Sequence, residues 1–185
     1  MFKHYTHVIF DFDETLATLK IDWKIWQIGI RKIILKYDPE AKLQKTISSD
    51  EINSYVKKYG KSIRSELWTF SKEFETTSCL GIVVNNTTIA LLKSIKKPTK
   101  SYIFSSNSRE IITRYLVMLN IIDLFDKIIT RDDVKYIKPN PYGFSLIYDG
   151  TTPLSNYVMI GDSASDSNFA TNANIDYIDV RQVKL

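Results

Sequence analysis

The sequence predicts an α/β fold in which five strands form a doubly wound parallel sheet, with a block of helices inserted after the first strand. From residue 87 onwards, short apolar runs alternate with amphipathic helical patterns, an order typical of parallel sheets. A similar apolar run lies at Val8–Phe10, and roughly seventy residues of mostly helical pattern separate it from the others. Because crossovers between parallel strands are right-handed, the helices should cover both faces of the sheet.

The first strand is predicted within Thr6–Leu16, which reads THVIFDFDETL. The run Val8–Phe10 is β-branched and aromatic, as expected of a strand buried on both faces, and it ends at Asp11, with Asp13 close behind. A carboxylate there is costly to desolvate unless a cation or hydrogen-bond donors compensate it. Ligands bind at the carboxyl ends of parallel strands, so both acids are expected in a crevice. A surface turn rich in acids is the alternative.

Three helices are predicted in the inserted segment. Apolar residues at spacings of three and four indicate a helix from Asp22 to Tyr37. A capping box begins a second helix at Ser48, and Gly60 is its expected end. A third helix is predicted over Ile63–Phe74, and Glu75–Gly81 is expected to be the linker that returns to the sheet.

The predicted domain boundaries follow from these helices. Residues 17–83 are expected to form a helical domain, and residues 1–16 with 84–185 the domain that holds the sheet. The tryptophans of the helical segment lie at helical spacing among aliphatic residues, which favours its core over a substrate surface: Trp23, Trp26 and Trp68. Four cations of one segment of the inserted helices are interpreted as a solvated face rather than as contacts to an anionic leaving group: Lys57, Lys58, Lys61 and Arg64.

The remainder of the chain supplies the other four strands and their helices. The strands are predicted at Tyr102–Phe104, Lys127–Thr130, Tyr157–Ile160 and Asp176–Val180. The helices are predicted at Thr88–Lys96, Arg109–Asn120 and Pro141–Tyr148, with a further one ending near residue 172.

Polar residues recur at three later places, two at the ends of predicted strands and one on a loop just before a helix. In chain order these are Ser106 with Asn107, then Lys138, then Asp162 with Asp166. The first pair precedes the helix from Arg109, where free backbone N–H groups and the helix dipole favour an anion. Taken singly, each place has a purely structural alternative. Ser106 fits a helix N-cap, Lys138 fits a solvated loop lysine, and Asp162 with Asp166 fits a capping residue and a surface acid. Their common placement at strand ends or helix starts favours one crevice.

The residue types in this crevice indicate metal-assisted phosphoryl chemistry. Carboxylates without histidine or cysteine beside them form a hard-oxygen set that suits Mg²⁺ rather than zinc. A hydroxyl, backbone N–H groups and a lysine opposite the metal would stabilise the charge of a phosphoryl group.

The pair Asp11 and Asp13 and the three later places, together called the four stations, resemble the motifs of the haloacid dehalogenase-like hydrolase superfamily. The matching segments are Asp11-Phe12-Asp13-Glu14-Thr15-Leu16, Ser106-Asn107, Lys138-Pro139-Asn140-Pro141, and Gly161-Asp162 with Asp166. The resemblance spans the chain and implies a Rossmann-like core, with the inserted helices as a cap over the substrate. Glu14 departs from the family pattern, in which glycine is common at that place.

The resemblance also implies a role for each site residue. Asp11 would be the nucleophile and Asp13 the acid/base, while Ser106, Asn107 and Lys138 would hold the phosphoryl group. Mg²⁺ would be held by Asp11, Asp162 and the backbone carbonyl of Asp13, with Asp166 in support.

A phosphatase that acts on a small phosphorylated metabolite is the function these roles imply. Family branches that displace halide, or hold the aspartyl-phosphate for ion pumping, lack a carboxylate at the place of Asp13. A phosphomutase of the β-phosphoglucomutase type shares every motif and stays open. A non-catalytic binding module is a further alternative, disfavoured by the intact carboxylates.

The composition of the chain indicates which partners and which cellular location to expect. The 185 residues are 44% hydrophobic and 25% charged, with a net charge of +4 and no dense basic stripe, so nucleic acid is an unlikely partner. No membrane-length apolar run or signal peptide is evident. The single cysteine, Cys79, fits a reducing compartment. A cytoplasmic monomer or weak homodimer is therefore expected.

Overall fold

The computed structural model describes residues 4–183. Within this range the strands are β1 His7–Phe10, β2 Ala17–Leu19, β3 Ile82–Val84, β4 Lys100–Phe104, β5 Lys127–Ile129, β6 Tyr157–Gly161 and β7 Asp176–Asp179. Five of them form one parallel sheet in the order β5-β4-β1-β6-β7. The predicted α/β fold with five parallel core strands is confirmed.

The α-helices lie on both sides of this sheet and in the inserted segment. They are α1 Trp23–Tyr37, α2 Ser49–Ser78, α3 Asn86–Ser94, α4 Arg109–Met118 and α5 Ala164–Ala173. The helix predicted from Pro141 is a 3-10 helix, Pro141–Leu146. Four shorter 3-10 turns complete the described chain: Ile122–Leu124, Arg131–Asp133, Leu154–Asn156 and Val180–Gln182.

Strand β1 is the centre of the sheet, and its side chains are fully buried. Successive side chains of a strand point to opposite faces. Accordingly, Ile9 packs on one face with Phe104 and Phe169, whereas Val8 and Phe10 pack on the other. Burial on both faces explains why this strand is continuously apolar up to the residue where it leaves the sheet.

A second sheet was not predicted. Strand β2 pairs antiparallel with β3, with Thr18 opposite Val83, in a region where helix was expected to follow Leu16. Strands of three residues are too short to show alternation, and their partners lie far apart in the sequence. This two-stranded sheet flanks α1 and α2 at both ends of the inserted segment.

The predicted helix end at Gly60 is confirmed, because α2 consists of two helical segments that meet at a kink there. Gly60 has φ 71° and ψ −144°, a non-helical conformation that favours glycine. The expected linker from Glu75 is helical through Ser78. Thr76 and Thr77 donate their hydroxyls to carbonyls of the preceding turn, so these residues extend the helix instead of leaving it.

Between residues 4 and 183, no helix combines the length and the apolar character needed to cross a bilayer.

Candidate active site

The four predicted stations meet at the carboxyl edge of the sheet. Asp11 and Asp162 directly follow β1 and β6, and Ser106 and Asn107 follow β4. Lys138 comes from the segment before the 3-10 helix at Pro141. All of these residues, together with Asp13, line one cavity of about 320 Å³. Asp166 lies behind Lys138, completely buried.

Lys138 is the central cation of the site. Its side chain is 2% exposed, and its Nζ lies 2.8 Å from Asp11 Oδ1 and 2.5 Å from Asp166 Oδ1. Desolvation opposes the protonated lysine, but the two carboxylates outweigh it and raise the pKa of Lys138. The lysine is therefore held charged beside Asp11.

Asp166 is fixed by its own helix start. Ser163 and Asp166 form a capping box at the beginning of α5, in which Ser163 Oγ donates to Asp166 Oδ2 at 2.6 Å. Gly161 leaves room for this carboxylate, since a Cβ at residue 161 would lie 2.5 Å from Asp166 Cγ. The arrangement orients Asp166 towards Lys138.

Three carboxylates are placed to bind a metal ion. Asp11, Asp162 and Asp166 each offer an oxygen, and these oxygens lie within 4.8 Å of one another. An all-carboxylate set suits a hard divalent cation. The carboxylate of Asp13 is not in this group. It accepts a hydrogen bond from the Leu19 N–H at 2.7 Å. The predicted metal contact through its backbone carbonyl stays a prediction.

Burial dominates the acid–base properties of the two leading acids. Desolvation raises the pKa of Asp11 to about 7, although Lys138 opposes the rise. Desolvation also raises the pKa of Asp13 to about 7, against the hydrogen bond from Leu19 and in concert with the charges of Asp11, Glu14 and Asp162. A buried carboxylate of this kind holds a proton more readily than a solvated one.

The start of α4 differs in part from the expectation of free N–H groups there. Two of these groups are occupied, because Ser108 N donates to Glu75 Oε2 and Arg109 N donates to Asp132 Oδ2, each at 2.8 Å. The side-chain oxygen of Asn107 accepts from Ser105. Ser106, which is half-buried, lines the cavity.

A buried ion pair was missed by the sequence reasoning. Arg131 and Glu75 form two contacts of 2.7 and 3.0 Å, and both side chains are less than 5% exposed. Arg131 also donates to the Ser106 carbonyl at 2.8 Å. Arg131 lies two residues after β5. A charged residue just after a parallel strand is the same signal that identified Asp11 and Asp162, so the sequence could have identified Arg131 as a site residue. Glu75 lies inside α2 and carries no such signal.

The inserted helices form the opposite wall of the cavity. Its apolar side chains are Trp23, Trp26, Ile30, Ile52, Leu67 and Trp68, and its polar ones are Ser49, Ser71 and Glu75. The three tryptophans were expected in the core of the helical segment, and this is wrong in part: Trp26 and Trp68 pack against that core, but all three are half-buried and face the cavity.

The lysines and the arginine that were interpreted as a solvated face stay outside this cavity. Lys57, Lys58 and Lys61 are exposed, and Lys58 pairs with Asp38 at 2.7 Å. Arg64 lines a separate surface hollow. Glu14 lies at the cavity with φ 59°, a left-handed conformation that explains why glycine is common at this place.

Comparison with known proteins agrees with this geometry. A family model described as haloacid dehalogenase-like hydrolase matches residues 8–180. No curated protein matches the chain significantly.

Solved structures share the fold. A protein described as a haloacid dehalogenase-like hydrolase from Bacteroides fragilis is 23% identical, with a TM-score of 0.60 over 94% of this chain and 86% of that one. A predicted phosphoglycolate phosphatase from Haemophilus somnus is 14% identical, with a TM-score of 0.60 over 96% and 85%. The L-2-haloacid dehalogenase from Xanthobacter autotrophicus is 14% identical, with a TM-score of 0.53 over 94% and 76%. The same fold therefore carries different chemistries.

Proposed function

The chain belongs to the haloacid dehalogenase-like hydrolase family, and on this premise we propose that it is a Mg²⁺-dependent phosphatase that hydrolyses a small phosphorylated metabolite. The observation that carries the proposal is a second carboxylate, Asp13, lining the same cavity as Asp11. Ester hydrolysis needs such a group because the leaving oxygen must gain a proton and the attacking water must lose one.

The proposed reaction has two displacements. In the first, an Asp11 carboxylate oxygen bonds to phosphorus, the bond to the leaving oxygen breaks, and Asp13 gives its proton to that oxygen. In the second, Asp13 removes a proton from water, whose oxygen bonds to phosphorus. The acyl-phosphate bond then breaks, which regenerates Asp11 and releases inorganic phosphate.

The surrounding residues are proposed to hold the phosphoryl group. Lys138 lies 2.8 Å from the proposed nucleophile, so its charge would lie beside the transferring oxygens. Ser106 and Asn107 would contribute their polar groups from the loop after β4. Because Glu75 and Asp132 occupy the next two N–H groups, Lys138 carries most of this stabilisation.

Mg²⁺ is the cation proposed for the carboxylate group. Asp11 and Asp162 would bind it with the backbone carbonyl of Asp13, and Asp166 would support them from behind Lys138. When bound, it would neutralise charge on the phosphoryl oxygens and on the clustered acids.

Release of inorganic phosphate from simple phosphate esters tests this function. The purified protein should hydrolyse them with Mg²⁺, stop when EDTA is added, and recover when Mg²⁺ is restored. The variant Asp13→Asn should lose turnover by at least a hundredfold. Turnover unaffected by EDTA or by this substitution would contradict the proposal. Dependence on an added sugar bisphosphate would instead favour the phosphomutase.

A further inference from the structure

The wall of the cavity that faces the sheet edge is mostly apolar and aromatic. Six of the nine residues that α1 and α2 contribute are apolar: Trp23, Trp26, Ile30, Ile52, Leu67 and Trp68. The other three are Ser49, Ser71, whose Oγ accepts the Trp26 indole N–H at 3.0 Å, and Glu75, which pairs with Arg131. The rings of Trp23 and Trp26 meet edge to face, with centroids 5.8 Å apart. An uncharged apolar group gains free energy by leaving water for such a surface.

The cations that line the cavity are already paired. Among the described lining residues these are Lys138, which lies between Asp11 and Asp166, and Arg131, whose guanidinium is held by both oxygens of Glu75. Each lining cation within residues 4–183 therefore has a carboxylate partner, and Arg131 Nε is the one guanidinium nitrogen without a hydrogen bond. The remaining charge at the cavity is acidic, including the exposed Glu14.

An anionic leaving group is poorly matched to this cavity. The carboxylate of an ester such as phosphoglycolate would lie against apolar rings or against acids, and a buried carboxylate without a partner is strongly disfavoured. A cavity of about 320 Å³ also limits the whole ester to a small molecule.

We infer that the leaving group of the substrate is uncharged and largely apolar, and that it packs against the tryptophans of α1 and α2. The inference rests on the proposed phosphatase function and specifies its substrate class. It separates this chain from an enzyme that acts on phosphoglycolate.

Turnover of three esters tests the selectivity. The leaving group of benzyl phosphate is an apolar aromatic alcohol, that of ethyl phosphate is a small uncharged alcohol, and that of 2-phosphoglycolate carries a carboxylate. With Mg²⁺, kcat/KM should be at least tenfold higher for benzyl phosphate than for ethyl phosphate. The value for 2-phosphoglycolate should be at least tenfold lower than that for benzyl phosphate. A kcat/KM for 2-phosphoglycolate equal to or above that of benzyl phosphate would overturn the inference while leaving the phosphatase intact.

Binding can be measured without turnover. The protein has three tryptophans, and all of them line this cavity, so intrinsic fluorescence reports on it directly. In the Asp11→Asn variant with Mg²⁺, benzyl phosphate should change the fluorescence at concentrations at which 2-phosphoglycolate does not. Binding of benzyl phosphate without hydrolysis of any ester by the wild type would contradict the proposed function but support the apolar site. No response to benzyl phosphate would overturn the inference.

A matched pair of variants assigns the contact to the wall. Trp23→Ala should lower kcat/KM for benzyl phosphate at least tenfold and that for ethyl phosphate less than threefold. Ile28, which is 54% exposed on the same helix, provides the control, and Ile28→Ala should change neither value. An equal loss for both esters in Trp23→Ala would contradict a contact with the leaving group.

Discussion

Glu75 and Arg131 form a buried, two-point ion pair that joins the end of α2 to the segment after β5. The same carboxylate accepts the Ser108 N–H, and the same guanidinium donates to the Ser106 carbonyl. Trp68 completes the junction by donating to the Arg131 carbonyl at 2.9 Å. The α2 side of the cavity and the loop after β4 are therefore fixed to each other through one pair of charges.

Breaking this pair should be costly. Glu75→Gln leaves the Arg131 charge buried without its counter-ion, and the free energy of unfolding should fall by about 3–5 kcal/mol, measured by urea denaturation. The control is Glu110→Gln, which removes an exposed pair with Lys72 and should cost less than about 1 kcal/mol. Equal losses in the two variants would contradict the importance assigned to the buried pair.

Lys138 should be indispensable to turnover. Lys138→Met removes the cation beside Asp11, and kcat should fall by about 10²–10³, measured by phosphate release on protein whose fold is checked by circular dichroism. Arginine should not restore activity, because Lys138 is 2% exposed and its Nζ lies between two carboxylates, 2.8 Å from Asp11 and 2.5 Å from Asp166. Lys135→Met changes an exposed lysine of the same segment and should retain wild-type kcat. Loss of less than threefold in Lys138→Met would be inconsistent with its proposed role.

Gly161 should affect metal affinity through Asp166. The Cβ introduced by Gly161→Ala would lie 2.5 Å from Asp166 Cγ, so this carboxylate must move from its present position. The Mg²⁺ concentration for half-maximal activity should rise by about 10- to 100-fold. Asn168→Ala alters an exposed residue of the same helix and should leave the Mg²⁺ dependence unchanged. An unchanged Mg²⁺ requirement in Gly161→Ala would show that Asp166 does not support the metal.

Acid pH should weaken the fold at the far end of β1. His7 is stacked on Tyr157 with ring centroids 4.3 Å apart. Burial lowers the pKa of His7 from 6.5, and the charge of Lys100 lowers it further. The charges of Asp149 and Asp126 act in the opposite direction but do not cancel this shift. The folded state therefore binds this proton less readily than the unfolded state, and stability declines as pH falls below 6.5.

The two histidines of the chain provide the comparison for this effect. Unfolding free energies measured from pH 8 to pH 5 should fall less steeply in His7→Phe than in the wild type. His4 is exposed, and His4→Phe should follow the wild-type curve. Parallel curves for His7→Phe and the wild type would exclude His7 as a source of the pH dependence.

The sequence predicted those parts of the fold and site that depend on local pattern. The residues directly after β1, β4 and β6 could be assigned because a buried strand must end where a charged or polar side chain reaches the ligand crevice. The pairing of β2 with β3 could not be assigned, because it joins short segments separated by two helices. The role of Glu75 could not be assigned either, because its partner, Arg131, lies on an element that is distant in the sequence.

The tryptophans show a further limit. Helical spacing places Trp23, Trp26 and Trp68 on apolar faces, but it does not say whether such a face meets another helix or a cavity. Only the packing of α1 and α2 over the sheet edge decides this, and in this protein the same residues serve both the core and the cavity wall.

The central claim is that Asp11 becomes phosphorylated during turnover. The direct measurement mixes the protein with Mg²⁺ and a phosphate ester that it hydrolyses, and quenches the reaction rapidly with acid. Borohydride reduction and peptide mass spectrometry follow. Since borohydride reduces an acyl phosphate to an alcohol, homoserine should be found at position 11 and aspartate at position 13. Homoserine at another position, or hydrolysis by the Asp11→Asn variant at the wild-type rate, would contradict the account.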